Sequence, residues 1–130
     1  MRRSMIALLL ALSSMPAAAA DISTHVLDLA RGAGGEGVPM TLWRKTDKGE
    51  WAEAAKGRTD ADGRIRSFGE SARFPAGIYK LQFDMAAYAH AGATPFFPEI
   101  DIVFRVSDAA AHYHVPAVIS PYGYSTYRGN

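Results

Sequence analysis

The sequence predicts an all-β sandwich, and its local patterning carries that prediction. Turn signals recur at short intervals: a glycine-rich RGAGGEG at 31–37, TDKGE at 46–50, TDADGR at 59–64, FPAG at 74–77, ATPFFP at 93–98, VSDAA at 106–110 and SPYG at 120–123. Between them lie short runs that alternate apolar and polar side chains. No internal repeat and no second domain interrupts the pattern. Many short strands at such spacing fit a sandwich or barrel, because alternation with a period of two puts one face of each strand in a core and the other in solvent.

The first 20 residues read as a leader. Arg2 and Arg3 form a positive start, MIALLLALSSM is an apolar run, and PAAAA supplies small residues for cleavage after Ala20. A spanning helix needs about 20 apolar residues, and this run is broken at Ser13, Ser14 and Pro16. The expected mature domain is therefore 21–130, enough for one core.

ISTHVLD opens that domain as a strand, with Ile22, Thr24 and Val26 on one face and Ser23, His25 and Leu27 on the other. RGAGGEG lacks the strand-loop-helix setting that phosphate cradling needs, so it reads as a flexible loop. EWAEAAKG (50–57) holds good helix formers, but it is short and lies between turns, so strand is expected. GIYKLQFD sets Tyr79, Leu81 and Phe83 against Ile78, Lys80 and Gln82. DMAAYAHAG (84–92) reads as one short helix closed by Gly92. EIDIVFRV places Ile100, Ile102, Phe104 and Val106 on one face.

Charge narrows the partners. Without Arg2 and Arg3, the 14 basic residues become 12, against 13 acidic ones. No basic excess remains for nucleic acid, and no polybasic stretch points to a membrane surface. Cysteine is absent, which removes disulfides, thiol catalysis and cysteine-ligated metal. Packing and subunit association must stabilise the fold instead. A leader and no cysteine fit a bacterial periplasmic protein.

Three segments hold candidate chemistry. His25 sits on the first strand, and histidine is the side chain whose ordinary pKa lies nearest neutral pH. Arg64 follows a turn that Asp and Gly explain by themselves; it becomes functional only with an anion or carbonyl partner. His112 and His114, two apart in HYHVP, share a strand face. That geometry suits a metal, but zinc needs a further ligand and none stands at a telling spacing. One catalytic histidine in the pair is the more economical reading. No nucleophile elbow, P-loop or dinucleotide fingerprint is present. Pattern alone stops at an exported sandwich with suggestive histidines.

The tail, HYHVPAVISPYGYSTYRGN, goes further. It resembles the C-terminal signature of the 5-hydroxyisourate hydrolases, the transthyretin-related enzymes of urate breakdown. ISTHVLD resembles that family's N-terminal histidine motif and GRTDADGRI its central arginine motif. FPAGIYKLQFD and FFPEIDIVFRV resemble its middle strands, so the likeness spans the mature chain. The Tyr-Arg-Gly ending separates these hydrolases from hormone-carrying transthyretins. The resemblance implies a transthyretin-like (prealbumin-like) sandwich of two four-stranded sheets with one short helix. It implies a homotetramer, a dimer of dimers, with active sites in a tunnel at the dimer–dimer interface. It implies His25, Arg64 and His114 as catalytic residues, with His25, Arg64, Tyr127, Arg128 and Gly129 binding substrate. The tail would then be a buried wall of the site. No metal and no organic cofactor is implied. The family usually ends in Ser; here Asn130 stands in its place.

The implied reaction is hydrolysis of a ring amide in 5-hydroxyisourate to 2-oxo-4-hydroxy-4-carboxy-5-ureidoimidazoline. Which histidine is the base stays open, with His114 preferred. Two other readings compete: a non-catalytic transthyretin-like carrier of small ligands, and an exported structural module. Retention of His25, Arg64, His114 and Tyr127 together argues against both.

Overall fold

The computed structural model describes residues 20–69 and 74–130. The expected leader, apart from Ala20, lies outside these residues. Among the described residues ten strands run in order: β1 (Asp21–Asp28), β2 (Ala33–Gly34), β3 (Pro39–Lys45), β4 (Trp51–Arg58), β5 (Arg64–Ile65), β6 (Gly77–Asp84), β7 (Glu99–Val106), β8 (His112–His114), β9 (Ala117–Ser120) and β10 (Gly123–Thr126).

They form the sandwich expected from the alternation. One sheet has the order β4-β3-β6-β7, all antiparallel. The other is built around β1, which pairs with β2 and β5 antiparallel and with β8 and β9 parallel, while β10 extends the edge beyond β9. The four-strand expectation holds for the first sheet; the second has six. The excess arises because β1 meets short pieces in succession along each of its sides rather than single long strands.

The core lies between the sheets. Ile22 and Val26 of β1, Leu42 of β3, Tyr79, Leu81 and Phe83 of β6, and Ile100, Ile102 and Val106 of β7 are buried together with Tyr113, Ala117 and Ile119. Burying each large apolar side chain is worth roughly 1.5–3 kcal/mol. The same alternation turns Ser23, His25, Arg64, His112 and His114 away from the core, onto the outer face of the β1 sheet. EWAEAAKG forms β4, an edge strand and mostly exposed, as its position between turns predicted.

Two expectations are corrected. Residues 84–92 form no helix; they make consecutive turns, with Tyr88 and Ala91 donating their N–H groups three residues back to Met85 and Tyr88. The Asp84 carboxylate takes the Ala87 N–H. Tyr88 is drawn into the core, where its hydroxyl donates to buried Asp28 over 2.8 Å. These tertiary bonds outweigh the weak helix preference of a short alanine-rich stretch.

The glycine-rich segment is a packed element, not a loose loop. Gly34 pairs with Leu27 of β1, and a Cβ there would lie 2.0 Å from the Asp62 carbonyl oxygen. Thr59, buried, donates its hydroxyl to the Gly35 carbonyl (2.6 Å) and accepts from the Val38 N–H (2.8 Å). Glycine is needed here for close backbone approach.

Candidate active site

The site grows from one turn. In TDADGR the Asp60 carboxylate accepts the N–H groups of Asp62 and Arg64, each at 2.9 Å. Gly63 adopts φ +79°, a left-handed conformation that favours glycine. A Cβ on Gly63 would meet the Val26 carbonyl oxygen at 2.5 Å, so the turn presses directly onto β1. That pressure fixes β5 against β1 with Arg64 opposite His25.

Charges in the turn are divided unequally. Arg66 takes both acidic partners, Asp60 and Asp62. The Arg64 guanidinium forms no side-chain hydrogen bond or ion pair with any described residue. It remains available for an oxygen-rich ligand.

On the other side of β1, β8 runs parallel with Ser23 in register with His114. The Ser23 hydroxyl lies 2.8 Å from His114 Nδ1 and 3.1 Å from His112 Nε2. The two imidazoles stack at 6.4 Å, tilted by 12°. His112 Nδ1 in turn lies 3.1 Å from an Asp21 carboxylate oxygen.

Ser23, Arg64, His112 and His114 line an open cleft of about 250 Å³ with Thr24, Ile65, Arg66 and Asn130. Burial first, then the Arg64 guanidinium and the neighbouring His112 and His25 imidazoles, hold the His114 imidazole below the ordinary histidine pKa. His25 opens onto an adjoining concavity that shares Arg64 as a wall. Its Nε2 hydrogen-bonds the Asp62 carbonyl over 2.9 Å. A carbonyl only accepts, so that nitrogen carries the proton.

The structure thus brings His25, Arg64 and His114 together. Gly129 joins them: its N–H donates to the His114 carbonyl over 2.8 Å, and a Cβ on it would lie 2.4 Å from the His114 ring. Only a residue without a side chain lets the tail pass this close.

Tyr127 and Arg128 are not in this cleft within the single chain. They border a separate groove with Val103, Arg105 and Tyr113, where the Arg128 guanidinium sits 4.8 Å from the Tyr113 ring centre. The tail is paired to the sheet through β10 and β9 but stays exposed in the single chain.

Sequence reasoning missed Ser23 and Asp21. Ser23 carried a signal: it shares the outward face of ISTHVLD with His25. The partner that gives it meaning lies 91 residues away. Among the described residues no group of three or more histidine, aspartate or glutamate side chains is placed to hold a metal ion.

The comparisons agree with this architecture. The family model described as "HIUase/Transthyretin family" matches residues 22–129. A 5-hydroxyisourate hydrolase of Salmonella dublin is 39% identical over 130 residues, covering 98% of this chain and 95% of its own. The structure of Klebsiella pneumoniae 5-hydroxyisourate hydrolase superposes with a TM-score of 0.73 at 38% identity, covering 85% of this chain and 99% of that one. Sea bream transthyretin in complex with thyroxine superposes with a TM-score of 0.76 at 32% identity, covering 84% of this chain and 94% of that one.

Proposed function

Because the chain belongs to the HIUase/transthyretin family, we propose that its His25–Arg64–His114 cluster is the catalytic centre at which it hydrolyses 5-hydroxyisourate. The chain is a hydrolase of urate degradation, as its relatives' names and its near full-length likeness to them support. The observation that carries the site is the Arg64 guanidinium, unpaired among the described residues, which stands opposite His25 and helps hold His114 below its ordinary pKa.

The reaction needs a water deprotonated as it attacks a ring carbonyl, a stabilised oxyanion and a fixed planar substrate. His114, neutral near pH 7, takes the proton of the water. Arg64 keeps its charge and presents planar donors to the carbonyl oxygen. His25, anchored by Asp62, donates or orients. The product is 2-oxo-4-hydroxy-4-carboxy-5-ureidoimidazoline. The carrier reading finds no support in this cleft, since a carrier has no need of a base beside a guanidinium that no described side chain pairs.

Steady-state hydrolysis across pH tests this assignment. The acid limb of kcat/KM reports the base in the free enzyme and is expected below about 6.5, the ordinary histidine value. A limb at or above that value contradicts His114 as base. The same lowered pKa has a stability consequence. The unfolded chain takes up this proton first, so the folded state loses stability as pH falls below about 6.5.

Tyr127, Arg128 and Gly129 complete substrate binding in an assembled homotetramer, a dimer of dimers. Two features support assembly: Tyr127 is 54% exposed in the single chain and Tyr122 82% exposed, and the cleft is open on one side. Light scattering is expected to give four chains per particle; a monomer contradicts the assembly. The Arg2–Arg3 start, apolar run and alanine-rich stretch support export to the periplasm, with cleavage near Ala20.

A further inference from the structure

We propose that Asp21, His112 and Ser23 form a hydrogen-bond relay that holds His114 with its proton on Nδ1, leaving Nε2 as the general base. Counting donors along the chain leads to this. An ionised carboxylate only accepts, so the 3.1 Å contact from Asp21 requires a proton on His112 Nδ1, which the relay takes as that ring's one proton. His112 Nε2 is then an acceptor. The Ser23 hydroxyl has one proton, and it goes to His112 Nε2 across 3.1 Å. Ser23 Oγ can then only accept from His114, so the 2.8 Å contact places the His114 proton on Nδ1. His114 Nε2, which hydrogen-bonds no described residue, is left with its lone pair.

The direction is set at one end and read at the other. Without the carboxylate charge, the serine hydroxyl is free to point either way. When it donates to His114 Nδ1, the proton of that ring moves to Nε2 and the base is lost. The second ring nitrogen of a histidine is routinely fixed by the bond the first one makes. Asp21, His112 and Ser23 are positioning residues; none touches the reacting atoms in this scheme. The titratable and charged groups facing His114, Arg64 on β5, His112 on β8 and His25 on β1, disfavour its protonation without choosing between its nitrogens.

The inference builds on the hydrolase reading, but its first test does not. Long-range ¹⁵N–¹H spectra of the wild-type protein read the tautomer of each ring directly. His114 is expected as Nδ1–H at pH 7.5. In Ser23→Ala the acceptor is gone and Nε2–H gains population. Asp21→Asn, at a side chain 60% exposed, leaves the packing alone and also raises the Nε2–H fraction.

The kinetic arm follows. Hydrogen-bond partners that orient metal-bound histidines typically contribute about 10–100-fold, and by the same physics kcat of Ser23→Ala is expected to fall by that factor with KM little changed. Asp21→Asn is expected to lose kcat in proportion to its lost Nδ1–H fraction. A wild-type His114 found as Nε2–H overturns the relay, as does an Nδ1–H population unchanged in both variants. The relay tautomers without any hydrolysis would instead count against the hydrolase reading, so the two failures are distinguishable.

Discussion

Replacing His114 with alanine is expected to lower kcat for 5-hydroxyisourate by about 10²–10⁴-fold, the range that general base catalysis contributes. KM should move little, because the planar substrate is held mainly by Arg64. The fold should survive. His114 lies on the outer face of the β1 sheet, and the apolar core between the sheets does not include it. Its removal leaves the Ser23 hydroxyl still bonded to His112. A protein that keeps its circular dichroism and its assembly while losing turnover separates a chemical role from a structural one. Turnover within threefold of the wild type would show that the base lies elsewhere.

Arg64→Met is the second large effect. Methionine keeps much of the apolar stem of arginine but removes the charge and every donor. One lost donor to a developing oxyanion typically costs about 10²–10³-fold. A second readout makes the test specific. Arg64 is among the charges that keep the His114 pKa low, so the acid limb of kcat/KM should move upward toward the ordinary histidine value in this variant. A loss of rate without that movement would place Arg64 too far from His114 to act with it. Arg64→Lys should recover little, because a point charge does not reproduce a planar fork of donors.

Most of the fold was legible in the sequence because its signals are local. The alternation in EIDIVFRV and GIYKLQFD is written in neighbouring residues, and the strands follow it. DMAAYAHAG misled for the opposite reason. Its alanines favour a helix, but Tyr88 is held by Asp28, 60 residues away, and that bond cannot be seen in the stretch itself. RGAGGEG misled because glycine permits both freedom and close packing. What decides is the approach of Asp62, which only the folded chain supplies.

The candidate site divides in the same way. His25, Arg64 and His114 stand in recognisable motifs, and the structure gathers them through the register of β5 and β8 on β1. Ser23 and Asp21 belong to no such motif; parallel pairing with HYH gives them partners. Tyr127 and Arg128 stood in the tail motif as well, yet a single chain directs them to another groove, beside Tyr113. Their proposed place in substrate binding rests on the proposed tetramer, whose partner chains would have to close the cleft around them.

The most direct test of the central claim is the decay of 5-hydroxyisourate in the ultraviolet. The substrate is generated in situ from urate with a urate-oxidising enzyme, and its decay is followed without protein, with the mature wild type, and with His114→Ala. It decays unaided, so rates must be compared. The account predicts that the wild type accelerates the decay and that the variant loses this acceleration, with Asn130 tolerated at the end of the chain. A folded wild type that leaves the unaided rate unchanged would contradict it.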